Sequence, residues 1–161
     1  MQQQLYEEDR AERVKAFKNE LKSYKQLKRD YRYYSEQCMF YQNKLYNCGS
    51  PDLSNDIRIY YDPMKPDPRF DWQDKLDYFN SQAKTALNRI TNVEFIMSML
   101  SDDDKKIISE VYFKGKTYDE LWNPYSGVSV RMMKYQVDKA IWNAIKEVGK
   151  QYIDGEIKWS G

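Results

Sequence analysis

The sequence predicts an all-α protein, a long antiparallel helical hairpin followed by three shorter helices. Three observations carry this. Apolar and aromatic residues recur at steps of three and four from Val14 to Leu45, and the same spacing returns from Trp72 to Leu100. From Ser101 onward, residues suited to starting helices open three further segments separated by glycine-containing turns. Steps of three and four keep side chains on one face of a helix, whereas a strand would alternate every second residue.

The first helix is expected over about 5–46, a stretch without Gly or Pro. Its stripe is Val14, Phe17, Leu21, Tyr24, Leu27, Tyr31, Tyr34, Cys38, Tyr41 and Leu45. A stripe held that long reads as a coiled-coil-like seam. Glu12, Lys15, Lys22, Lys25 and Arg29 fall on the opposite, solvated face. Gly49 suits a left-handed C-terminal cap. The linker 47–70 carries prolines at 51, 63, 66 and 68, a density no long helix tolerates. Within it, Ile57–Tyr61 could be extended and pack on a neighbour; connections this long are usually functional or mobile. The second helix is expected over 71–99, with the stripe Trp72, Leu76, Phe79, Ala83, Ala86, Ile90, Val93, Met97 and Leu100. Neither seam can be buried alone, so the simplest arrangement pairs the two helices and makes 1–100 one unit.

A second unit, 101–161, begins at Ser101-Asp102-Asp103-Asp104, a capping serine followed by three acids at the positive end of a helix dipole. That helix runs from Lys105 to Phe113, with Ile107, Ile108, Val111 and Tyr112 inward, and stops at Lys114-Gly115-Lys116. Thr117, with Glu120 three residues on, makes a capping box for a short helix from Tyr118 to about Trp122. Leu121 and Val128 are expected to reach the core. Asn123-Pro124-Tyr125-Ser126-Gly127 is a turn by composition. Ser129 then caps a third helix from Val130 to about Val148, whose inner face is Met133, Val137, Ala140, Ile141 and Ala144. A short second helix and a capped third one after a turn form the helix-turn-helix pattern. In such modules the start of the last helix reaches base edges of duplex DNA. The candidate DNA-binding residues are therefore Thr117, Ser129, Val130, Arg131, Lys134, Tyr135, Asp138 and Lys139. Arg131 could pair with guanine or phosphate, and Lys134 with phosphate. Tyr135 could stack or bond to the backbone, and Asp138 could accept from a cytosine amino group or orient Lys139.

Composition narrows the function classes. The chain is 41% hydrophobic and 32% charged, with no histidine and two cysteines. Without histidine there is neither the commonest general base nor any Ser-His or Cys-His pair, so an enzyme is not expected. Two thiols cannot close a zinc site, and Cys38 reads as a core residue and Cys48 as a loop thiol; no metal or cofactor is expected. Gly115-Lys116-Thr117 imitates the end of a phosphate loop, but Glu110 stands where the loop needs glycine and a helix precedes it. No apolar run could span a bilayer and the start lacks a signal-peptide stretch, so a cytoplasmic protein away from membranes is expected. Net charge is +1, and Lys114–Lys150 holds seven basic against four acidic residues. Any nucleic-acid surface must then be local.

Leu100–Ile145 resembles the region-four helix-turn-helix of bacterial sigma factors. The likeness rests on Ile107-Ile108, Tyr112-Phe113, Gly115, Thr117, Glu120-Leu121, Gly127-Val128-Ser129, Met133, Val137, Lys139-Ala140 and Ile141. The whole layout is similar to phage late-transcription regulators of the ArpU and RinA type, with a helical N-terminal half, a polar connector and a terminal sigma-like module. Trp122-Asn123-Pro124-Tyr125 departs from the Ile-Ala-x-x-Leu that usually continues the second helix, so a shortened helix is expected. The resemblance implies double-stranded DNA as partner and host RNA polymerase as a second candidate, with a hairpin that could homodimerise. The alternative is a coiled-coil interaction or structural phage protein whose helix-turn-helix does not bind DNA.

Overall fold

A computed structural model of the chain describes residues 2–48 and 67–153, with side chains over 7–47 and 67–148. The fold is all-α, with no strand among the described residues. Helix α1 spans Gln2–Cys48 and α2 spans Pro68–Ser98. Three shorter helices follow: α3 over Asp102–Ile108, α4 over Tyr118–Leu121 and α5 over Val130–Ile153. Among the described residues no helix is long and apolar enough to cross a membrane. Gly49 and the Ile57–Tyr61 segment lie outside the described residues.

Helix α2 starts three residues earlier than expected. Pro68 takes the first helical position, where a missing N–H costs nothing. Asp67 accepts from the Arg69 N–H at 2.9 Å and grips the Arg69 guanidinium at 2.6 Å. Those bonds hold the Asp67 carboxyl below its ordinary range.

Packing groups the chain differently from a division at residue 100. One compact unit joins 1–25 to 89–161; the other is 26–88. In the first, Val14, Phe17 and Leu21 of α1 meet Val93, Ile96 and Leu100, and the C-terminal helices add Ile108, Val137, Ile141, Trp142, Ala144 and Val148. Ile108, Val137 and Ile141 are 0% exposed. The Tyr24 ring lies tilted against Phe113, centroids 4.9 Å apart, and the Tyr24 hydroxyl donates to Glu94 at 2.6 Å, while Arg89 forms a two-bond fork with Glu20.

In the second unit the two seams pair antiparallel: Lys44, late in α1, lies 5.3 Å from the ring of Trp72, while Tyr34 meets Phe79. Among its described residues, the buried apolar side chains are Leu27, Cys38, Leu76, Ala83 and Ala86. Phe79 is the hub of an aromatic cluster, stacked at 5.9 Å on Tyr41 and edge-on to Tyr33. Cys38 is a buried free thiol, and burial pushes its pKa up.

Candidate nucleic-acid interface

The helix-turn-helix is assembled by local hydrogen bonds at each start site. Ser101 Oγ accepts from the Asp104 N–H at 3.3 Å, so the acidic run serves as a cap for α3. Thr117 Oγ1 accepts from Glu120 N–H at 3.2 Å, and Ser129 Oγ from Met132 N–H at 3.2 Å. Each side-chain oxygen satisfies a backbone donor that the first turn of a helix leaves without an internal partner.

The first helix of the module does not run as a uniform α-helix to Phe113. From Ser109 to Phe113 it widens into a π-helical turn, closed by the Lys114 N–H donating to Ser109 O at 3.1 Å. Gly115 follows at φ +72°, and Lys116 N–H returns to Glu110 O at 3.0 Å. The carboxylate of Glu110 binds Lys114 and Lys116, both at 2.7 Å. These two hydrogen-bonded ammonium groups bring its pKa down to about 2. Two of the cations counted from sequence are thus committed to an internal carboxylate.

Helix α4 ends at Leu121, one residue short of the expected Trp122, as the Trp122–Tyr125 departure implied. The turn that follows is built with specific bonds. Asn123 Oδ1 accepts from Tyr125 N–H at 2.9 Å and Asn123 O from Ser126 Oγ at 2.7 Å. Gly127 adopts φ +72°, a left-handed conformation that costs other residues roughly 1–2 kcal/mol. The Trp122 indole N–H then donates to Val128 O at 2.7 Å and clasps the turn shut. Leu121 and Val128 are half-buried rather than core.

Helix α5 begins with no acidic residue in its first turn. Val137, Ile141 and Ala144 of the expected inner face are buried, and Met133 and Ala140 are half-buried. Arg131, Lys134 and Tyr135 are exposed and lie within roughly 100° of one another around the helix. The Lys134 ammonium sits 5.5 Å from the ring of Tyr118. The phenol of Tyr118 bonds to that of Tyr112, and burial pushes both pKa values up, so both are neutral donors and acceptors at physiological pH. Thr117 and Ser129 are exposed, their oxygens engaged in capping, and Val130 is half-buried.

Two candidates are placed differently from the rest. Asp138 is not oriented toward Lys139: its Oδ1 is buried and receives the Lys18 ammonium of α1 at 2.5 Å. That ion pair engages one carboxylate oxygen and sets a cation against the acid beside Arg131 and Lys134, while the Asp138 side chain stays 43% exposed. Lys139 is exposed but about 140° around α5 from Lys134, lining a groove of 410 Å³ with Ser101, Asp104, Gln136 and Asn143. Sequence reasoning left out Tyr125, 94% exposed at the tip of the turn before α5, and Met132, half-exposed in its first turn. A tyrosine among turn-forming residues was the available signal.

No protein-family model, curated protein or solved structure matches the chain.

Proposed function

We propose that the chain is a DNA-binding transcription regulator, of the kind that the resemblance to phage late-transcription activators implies, and that α5 is its recognition helix. The observation behind this reading is the pairing of a rigid inner face with an open basic start. Val137 and Ile141 are fully enclosed, while Arg131, Lys134 and Tyr135, earlier on the same helix, are exposed. An acid-free helix start also offers backbone N–H groups and the positive dipole end to phosphate. In this reading Arg131 contacts guanine or phosphate, Lys134 a phosphate, and Tyr135 with Tyr125 the sugar-phosphate backbone. Asp138 has a positioning role through Lys18. Host RNA polymerase remains the candidate protein partner, and the cytoplasm the compartment.

The test is selection of bound duplexes from a random pool with purified protein, followed by salt titration of the selected site. The Arg131→Ala, Lys134→Ala double variant is expected to bind more weakly, with the log–log salt slope reduced by about 1 if Arg131 reads guanine and about 2 if it holds a phosphate. Unchanged affinity at moderate salt would overturn the site.

A second reading, an interaction protein without DNA binding, is favoured by one specific feature: α4 has only four residues, and both cations preceding it are held by Glu110. No retention of the chain on a DNA or heparin column would select that reading.

A further inference from the structure

The hairpin unit 26–88 carries a second stripe besides its seam. Asp30, Tyr33, Gln37, Phe40 and Lys44 each immediately precede a seam residue of α1, so they lie roughly 100° around the helix on one flank. On α2, Lys75 and Tyr78 precede Leu76 and Phe79 in the same way. Ring contacts place them beside the same flank: Lys75 Nζ is 5.7 Å from the Tyr41 ring, and Tyr78 and Tyr33 both abut Phe79. Tyr33, Phe40 and Tyr78 are 51%, 50% and 55% exposed. Large aromatic side chains open to water on one side of a two-helix pair are the composition of an interface core.

The stripe is also self-complementary. Asp30 and Lys44 stand seven residues to either side of Gln37, and Tyr33 and Phe40 four and three residues to either side of it. Both charged groups already lie along the flank. Asp30 accepts from Gln26 Nε2 at 2.8 Å, and the Lys44 ammonium rests 4.6 Å from the Phe40 ring. Two copies of α1 laid antiparallel about Gln37 set Asp30 of each against Lys44 of the other, and Tyr33 against Phe40. Laid parallel in register, the same stripe sets Asp30 on Asp30 and Lys44 on Lys44. A two-fold interface requires this reciprocity, in which the first group meets the second and the second meets the first.

We infer that the Tyr33–Phe40–Tyr78 flank is a self-association surface, on which a second copy of this chain packs antiparallel about Gln37 to form a four-helix bundle. It gives named residues and a register to the hairpin homodimer that the resemblance implies, and its test does not depend on DNA binding, since no residue of α3, α4 or α5 takes part.

Sedimentation equilibrium of the full chain, with circular dichroism to check folding, tests it. The wild type is expected to dimerise. Asp30→Lys and Lys44→Asp, each alone, set like charges opposite one another and are expected to weaken dimerisation about tenfold. The double variant D30K/K44D reverses both partners and restores it. In a Cys48→Ser background, Gln37→Cys is expected to be joined into a dimer by a short bis-maleimide. A monomer at every concentration overturns the inference. So does a dimer insensitive to the single reversals, or one that the double variant fails to rescue.

Discussion

The unit formed by 1–25 and 89–161 and the unit formed by 26–88 draw on the same two helices but bury them differently. In the first, α1 and α2 share a core with α3 and α5, and its centre is aliphatic and sealed: Ile108, Val137 and Ile141 have no exposed surface. In the second, two helices have only one another. Small and medium side chains such as Ala83, Ala86 and Cys38 fill the line of contact, and the aromatic rings spread over its edges, half-buried. A pair of helices shields a narrow line, so wide residues there must cover one another. The ring cluster around Phe79 is the result. Layers of helix thus decide which residues a seam can use: branched aliphatics where the face is enclosed, tyrosines where one edge stays wet and a phenol can meet water.

Removing one large side chain from each unit breaks the comparison open. Ile141→Ala is expected to cost about 2–5 kcal/mol, the range for a cavity in an enclosed core, read by urea unfolding. Phe79→Ala is expected to cost less, roughly 1.5–2.5 kcal/mol, because half of that ring's surroundings are solvent or other movable rings. Equal losses at the two positions would mean that the hairpin unit is as tightly enclosed as the other. A smaller effect separates the units by pH. Glu110, in the first unit, has a folded pKa near 2, below that of a free carboxylate. The stability it contributes is complete above about pH 4.5 and is lost as pH falls toward 2. Amide exchange of α3 is expected to accelerate across that window, and Glu110→Gln is expected to flatten the response while leaving exchange in 26–48 unchanged.

The helical stripes were legible because nothing interrupts them. Over 5–46 no glycine or proline competes with the three-and-four spacing, and every residue of the α1 stripe is buried or half-buried. Ile96 was missed for a physical reason. A helix enclosed on more than one side needs a wider apolar face than a single seam, and near the end of α2 that face takes in Ile96 more deeply than the expected Met97. The caps at Ser101, Thr117 and Ser129 were readable because they depend on residues three apart. What escaped was non-local or a matter of register. The Lys18–Asp138 pair joins residues 120 apart in sequence, and no local pattern links them. The π-helical turn shifts hydrogen bonds by one residue in a stretch whose side chains read as ordinary helix. Both change the candidate site, the first by setting a cation against an acid on α5, the second by bringing Lys114 and Lys116 onto Glu110.

The Trp122 indole, bonded across the turn to the carbonyl just ahead of the Ser129 cap, has a consequence for how the surface can diversify. It fixes the length of the connection, because an inserted residue would pull donor and acceptor apart. The side chain of Tyr125, 94% exposed at the tip, stands outside that clasp. Substitution at that tip can alter what the protein touches while the aim of the helix behind it stays constant.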